Sequence, residues 1–575
     1  MPPFQAPQPA YRDSMHSMQK IRRRTAPALI AGVVGIALAL TGCTSGGEAT
    51  PEVTKQPLDP AGDVNPMDAA DVPQGGELRF PLDSLPTNWN YGQVDGALDD
   101  ASIIEQAIML KTFNIGLDGA PALNTDLLDS AEAVSEDPLV IEYKINPDAV
   151  WSDGVPITAA DFKAQWTAQN GTNEEYLIGD PTGYNSIGSV EQGTDPKDVV
   201  VTYATPFSDW KSLFSPLYPA SQISTPEAFN TGYADAIPVT AGPFKLEKLD
   251  TSARTVSIVP DENWWGDAPK LDRVIFIALD GDADIDAYLN NEIDLVSAGS
   301  SDRYERIATA DDTDIRAAPS ASYSHIDFSS SGILADEKIR QALQHAINRQ
   351  SIADVLVGTL PFETSLLGNH IFLGTDSGYV DNSSPAADFD PDAAKKILED
   401  DGWTGDGAVR SKDGADLEVS MTIPAGIPTS NQIAQVVQAQ LADVGVKLSI
   451  DEVDVDSFFS DYITPGAFDM TVFSWVGTGY YAAGASIFST DPQSQNYGRI
   501  GTSDIDDLLG QVVQIPDADE ANAMWNDIDE QVWEEGHSLP IIQSPRVIAI
   551  DPKIVNYGAR PGAADIDWKI VGFSK

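Results

Sequence analysis

The chain contains one cysteine in 575 residues, Cys43, placed just past an apolar run over residues 26–40. A lone thiol has no partner for an intrachain disulfide and offers no cluster to hold a structural zinc ion. Whatever folds here must therefore be held by a hydrophobic core. The material for one is present: hydrophobic residues make up 42% and aromatic residues 8% of the chain, more than a disordered chain carries. At about 100–200 residues per domain, the length implies about three domains or one large discontinuous assembly. The 88 Asp+Glu against 34 Lys+Arg give a formal net charge of −54, which excludes nucleic acid as a partner because phosphate repels carboxylate.

The apolar run follows a basic patch, Lys20, Arg22, Arg23 and Arg24. At about 15 residues it suits a secretory signal core and is short of the ~20 needed to span a bilayer. It closes on Leu40-Thr41-Gly42-Cys43, which resembles the lipobox of bacterial lipoproteins. That resemblance implies a signal peptide over residues 1–42 and a Cys43 that becomes the first residue and carries acyl chains, palmitate among them. Met1, Met15 and Met18 are all compatible starts. Cleavage would remove five basic residues and one acidic one, leaving 29 Lys+Arg, 87 Asp+Glu and a net charge of −58. Anionic lipid repels such a body, so it is expected to stand off the membrane. Residues 43–75, rich in Gly, Pro, Asp and Ser without apolar periodicity, read as its flexible tether. The expected location is the cell membrane, lipid-anchored on the extracytoplasmic side.

Beyond the tether, period-two alternation predicts strands over 77–80, 139–145 and 199–203. Apolar positions at helical spacing predict helices over 336–350, 391–399 and 430–444, with Asp336 and Asp390 as N-caps and Gly402 and Gly445 just past two of the ends. Strands follow at 447–450 and 470–475, so helices alternate with strands and the class is α/β. Nothing nominates catalysis. The five histidines (16, 325, 345, 370 and 537) are not at metal-ligand spacing, and no phosphate-cradling Gly-rich loop or Gly-x-Ser-x-Gly elbow occurs. With so many acidic residues, an acidic pair for glycoside hydrolysis could always be drawn and carries no weight. The acidic runs 280–286 and 311–314 read as solvated faces. No enzyme activity, cofactor or metal is expected.

A collinear series of motifs resembles the extracytoplasmic solute-binding proteins of ABC importers, in the peptide/nickel/opine-binding family. It opens with Gly75-Gly76-Glu77-Leu78-Arg79. It continues through Trp151-Ser152-Asp153-Gly154-Val155-Pro156-Ile157-Thr158-Ala159-Ala160-Asp161-Phe162, Gly242-Pro243-Phe244, Asn263-Trp264-Trp265-Gly266 and Asn291-Glu292-Ile293-Asp294. Ile339-Arg340-Gln341-Ala342-Leu343, Asp390-Pro391-Asp392-Ala393-Ala394-Lys395 and Gln440-Leu441-Ala442-Asp443-Val444-Gly445-Val446 complete it. In the second block Asp153-Gly154 reads as a turn, Trp151 as buried and Thr158 as an N-cap. The resemblance implies a two-lobed periplasmic-binding-protein-like fold with a hinge and an extra subdomain in lobe I. Lobe I would use residues 76–110, 206–318 and 538–575, the subdomain 111–205 and lobe II 319–537. A small-molecule or oligopeptide ligand would be trapped as the lobes close. The partners implied are an ABC permease with a cytoplasmic ATPase and the membrane through the lipid anchor; the protein would act as a monomer.

The sequence departs from the family at an informative place. Peptide-binding members have a Trp-x-x-Asp segment whose aspartate pairs with the peptide ammonium. Here the matching stretch is Phe473-Ser474-Trp475-Val476-Gly477-Thr478, with Thr478 at the aspartate position. A hydroxyl cannot neutralise a buried ammonium. Asp327, where the family often has Asn, is either a substitute cationic anchor or a solvent-facing residue. The expected ligand-binding set is Trp89, Asn90, Tyr91, Asp327, Trp475, Thr478, Tyr480 and Asn496, aromatic and polar residues near strand ends. Trp89 and Trp475 read equally as packing between the lobes. The alternative function is a same-fold lipoprotein acting in cell-envelope glycolipid assembly rather than import.

Overall fold

Residues 55–575 are described in a computed structural model of the chain, apart from 235, 280, 406, 407 and 493. The signal segment 1–42, Cys43 and the start of the tether lie outside the described residues. The alternation of Leu139, Ile141, Tyr143 and Ile145 buries one face of the strand Leu139–Ile145 and leaves Glu142 and Lys144 on the other. It is the second strand of a four-stranded antiparallel sheet in the order Leu128–Glu136, Leu139–Ile145, Asp198–Tyr203, Ile187–Gln192. The helix Ala159–Gln169 covers this sheet. It begins at a capping box, in which the Thr158 hydroxyl accepts from Ala160 N (3.4 Å) while Thr158 N donates to Asp161 Oδ2 (2.8 Å). Trp151 is buried and Gly154 takes φ +83° at the turn, as the motif predicts.

Two further large sheets, with three small two-stranded ones, complete the sheets of the described residues. One has the order Glu77–Leu82, Arg273–Ala278, Thr255–Pro260, Phe244–Asp250, its first pair parallel. The other is six-stranded: Leu295–Ser297, Ser538–Ile550, Asp314–Phe328, Met470–Val476, Glu418–Pro424, Lys447–Val453. Its last two strands run parallel, joined over one face by the helix Pro428–Asp443. The buried residues fall into two large clusters. One gathers around Phe80, Tyr143, Phe162 and Trp568, the other around Ile326, Leu343, Met421 and Leu539. The molecule is thus two-lobed. The strands Asp314–Phe328 and Ser538–Ile550 are long, and their pairing shifts register between Pro319 and Tyr323. Ile285, Ile293, Val296 and Ile307, expected with lobe I, are buried in the second cluster, because Leu295–Ser297 is the edge strand of the six-stranded sheet.

Two local expectations are corrected. The predicted helix over 336–350 is two helices, Glu337–Ala346 and Arg349–Val357. The break is made by Asn348, whose side chain accepts from Gln350 N and Ser351 N and caps the second helix. Residues 55–75, expected to be part of a flexible tether over 43–75, pack against the body instead. Gln56 N donates to Pro361 O (2.8 Å), Asp63 and Ala559 exchange backbone hydrogen bonds (2.8 and 2.9 Å), and Val72 is buried.

Candidate solute-binding cleft

The helix Asp99–Ile108 begins with two aspartates, places Ile104, Ala107 and Ile108 in the first core, and carries Glu105 among its buried residues. Opposite it, the strand Met470–Val476 ends at exposed Val476, and the chain turns through Gly479, which takes φ +79°. Between these elements lies a cavity of about 790 Å³. Tyr91, Glu105 and Gln165 wall it from one side, Ala321, Thr478 and Tyr480 from the other, and Arg546, Tyr557 and Arg560 from the C-terminal part of the chain. Three hydrogen bonds join residues 208–211 to residues 480–513 near the cavity. Ala482 N donates to Asp209 Oδ2 (2.7 Å), the Tyr480 hydroxyl to Lys211 O (3.3 Å), and Ser208 N to Val513 O (2.7 Å). Burial raises the Asp209 carboxyl above its ordinary range, the two backbone amides of Tyr481 and Ala482 opposing it.

Glu105 is the most perturbed acid of the cleft. Its Oε1 accepts from the Tyr218 hydroxyl (2.6 Å), and its Oε2 has no hydrogen-bond partner among the described residues. Burial pushes its pKa up to about 8, against the smaller opposing effects of the Tyr218 hydrogen bond and Lys111. The same Tyr218 hydroxyl accepts from Tyr91 N (2.8 Å) and lies 3.1 Å from Trp89 O. Burial first, then the Glu105 and Asp99 carboxylates, push the Tyr91 hydroxyl up to about 12. Lys111 is ion-paired with Asp565 (2.7 Å), which also accepts from Ile115 N. The wall therefore presents neutral donors and acceptors in addition to its charges, as solute clefts do.

Of the eight residues expected to touch ligand, Tyr91, Thr478 and Tyr480 come together on this wall. Trp89 and Asn90 do not. Trp89 sits inside the first core rather than between lobes, and Asn90 is wholly buried, with Nδ2 donating to Phe229 O (2.9 Å) and Oδ1 accepting from Gly92 N. Their loop is tight enough that a Cβ on Gly96 would stand 2.1 Å from Asn90 O. Asn496 clamps its own loop, donating to Ile500 O (2.7 Å) and accepting from Ile500 N (3.2 Å). Asp327 is neither in the cleft nor in solvent: it is buried, 3.3 Å from His325 Nε2. Trp475 stacks between His325 and Tyr497, with ring centroids 5.9 and 5.7 Å away, beside the cleft rather than on its wall. The residues sequence reasoning missed, Glu105 and Arg546, each had a signal: a single charge inside an apolar run, Ile103-Ile104-Glu105 and Arg546-Val547-Ile548-Ala549-Ile550.

No helix among the described residues is long and apolar enough to cross a membrane. The sequence profile of the bacterial extracellular solute-binding proteins, family 5 (middle region), matches residues 122–497. The chain is 36% identical over 550 residues to the oligopeptide-binding protein OppA of Mycobacterium tuberculosis, covering 94% of this chain and 92% of that one. It is 28% identical over 384 residues to the probable monoacyl phosphatidylinositol tetramannoside-binding protein LpqW of the same species, covering 61% of this chain and 59% of that one. The structure of the periplasmic EDTA-binding protein EppA superposes with a TM-score of 0.82 at 27% identity, covering 92% of this chain and all of EppA. With the profile, the long alignment and the two-lobed fold in agreement, the chain belongs to family 5 of the bacterial extracellular solute-binding proteins.

Proposed function

We propose that this protein is the lipid-anchored, extracytoplasmic solute-binding component of an ABC importer, capturing an oligopeptide or similar small solute and presenting it to a permease driven by a cytoplasmic ATPase. One observation carries the reading: a cleft of about 790 Å³ lined by residues of both lobes, in a chain that aligns over 94% of its length with a protein named for binding oligopeptides. That volume suits a short peptide. Tyr91, Thr478, Tyr480 and Glu105 are the proposed ligand contacts. Cys43 is the proposed anchor and residues 44–54 the tether. The protein works as a monomer whose two lobes, built on the two large core clusters, move against each other. The hinge is proposed at the register shift between Pro319 and Tyr323.

A strain lacking the gene is expected to lose most of its uptake of labelled tri- to pentapeptides. The wild-type gene restores uptake; Cys43→Ala, whose product is shed from the cell, does not. Unchanged peptide uptake together with altered envelope mannolipids would overturn this reading in favour of a role in envelope glycolipid assembly.

A further inference from the structure

Arg546 and Arg560 stand on the cleft wall without ion-pair partners among the described residues, in a chain with 88 acidic and 34 basic residues. Several other arginines are ion-paired, while Arg349, which has no carboxylate partner either, spends its donors on Leu367 O, Pro540 O and Ser383 Oγ. Arg273 is paired with Glu247 (2.7 Å), Arg410 with Glu399 (3.0 Å) and Arg316 with Asp314 (2.9 Å). Each guanidinium carries five N–H donors in a planar fork. Arg546 donates once, from Nη1 to Arg560 O (3.0 Å), and Arg560 donates once, from Nη1 to Ala564 O (2.9 Å). The Arg560 Nε is buried with no acceptor, and its guanidinium lies 5.8 Å from the centroid of the Tyr557 ring. Two half-buried cations held side by side, one with a buried donor that has no acceptor, are placed to be met by an anion. The neighbouring Arg560 and, above all, burial lower the Arg546 pKa to about 10, so it remains charged at neutral pH.

Of the acids that share the wall, Asp99 acts on Arg546 through space without an ion pair, and three others are engaged elsewhere. Asp565 is held by Lys111, Asp284 by Arg303, and Asp100 accepts from the amide and hydroxyl of Ser84. Glu105 keeps its proton at pH 7 (pKa about 8) and so does not repel an incoming anion. On the opposite wall, Thr478 offers a hydroxyl and no charge.

We propose that Arg546 and Arg560 form an anion subsite of the cleft, which binds a carboxylate of the captured solute, whether the C-terminus of a peptide or a group of a polycarboxylate. The ligand is thus fixed by its acidic end rather than by an ammonium. This rests on the solute-binding reading above and names the chemical class that the cleft selects.

Calorimetric titration of the mature protein with a tri- to pentapeptide pool bearing free C-termini, with the same pool amidated, and with citrate tests it. Expected is binding of the free-acid pool or of citrate that weakens by about 10-fold or more in Arg546→Gln and in Arg560→Gln, the usual loss for a charge-assisted pair. If the peptide pool is the binder, amidation produces a similar loss in the wild type. Should either variant fail to fold by circular dichroism, the acid-against-amide and citrate titrations of the wild type decide alone. Equal affinity for acid and amide, no binding of citrate and no effect of the variants would overturn the subsite and leave solute capture standing. Failure of both pools and citrate to bind the wild type would overturn the subsite and the solute-binding reading together.

Discussion

Replacing Asp529 by alanine is expected to lower the unfolding free energy by about 3–5 kcal/mol, the usual consequence of removing one member of a buried charged network. Asp529 lies on the helix Ala518–Glu534 and is fully buried. One carboxylate oxygen accepts from His370 N (2.8 Å) and lies 2.7 Å from His370 Nδ1, and the other accepts from Asn382 Nδ2 (2.9 Å). The helix thereby fastens a stretch of irregular chain, 369–382, that has little periodic structure of its own. Alanine would orphan His370 N and Nδ1 where water does not reach, while Asn382 Nδ2 keeps its bond to Asn526 Oδ1 (3.1 Å). Urea unfolding checks the value, with Glu191→Ala as control. The exposed Lys163–Glu191 pair (3.0 Å) should change stability by less than about 1 kcal/mol. Equal effects of the two substitutions would contradict the assignment.

The second large effect is a pH dependence written into the cleft wall. The folded chain holds Glu105 near pKa 8, above its ordinary 4.5, so between those values the folded state binds more protons than the unfolded one. The stabilisation from this proton is complete below about pH 4.5 and is lost as pH rises through about 8. A shift of this size in a fully buried group corresponds to roughly 5 kcal/mol. Glu105→Gln keeps an oxygen for the Tyr218 hydroxyl and cannot ionise. Relative to the wild type, the variant should gain stability steadily when both are compared at pH 5, 6.5 and 8, since the remaining carboxylates are common to both. A difference that stays constant with pH would show that Glu105 titrates normally.

The sequence is easiest to read where burial has a period. Leu139–Ile145 shows its alternation in the bare string, and the helix Pro391–Asp400 announces its start through Asp390 and its end through Gly402, which takes φ +93°. The prediction for 336–350 overran because Ile347 continues the apolar spacing past Ala346, while the stop comes from a side chain, Asn348, capping the next helix. Residues 55–75 were illegible for a different reason: they dock largely through backbone hydrogen bonds to 361 and 559, which leave no side-chain pattern. In the cleft, Thr478 and Tyr480 could be found because a strand end points them there. Trp89 and Asn90 could not be sorted from Tyr91 by type, since only the tertiary fold decides which of three consecutive residues faces inward. Glu105, Arg546 and Arg560 come from distant parts of the chain, and only the fold brings them to one wall.

The most direct test of solute capture between the lobes is a pair of calorimetric titrations with pooled di- to pentapeptides, one on the wild type and one on Thr478→Trp. Thr478 is exposed on the wall, so an indole there fills the cleft without disturbing a core. The wild type should bind, and the variant, with an unchanged melting temperature, should bind about 10-fold or more weakly. Equal affinities, or no binding by the wild type, would contradict the assignment of this cleft.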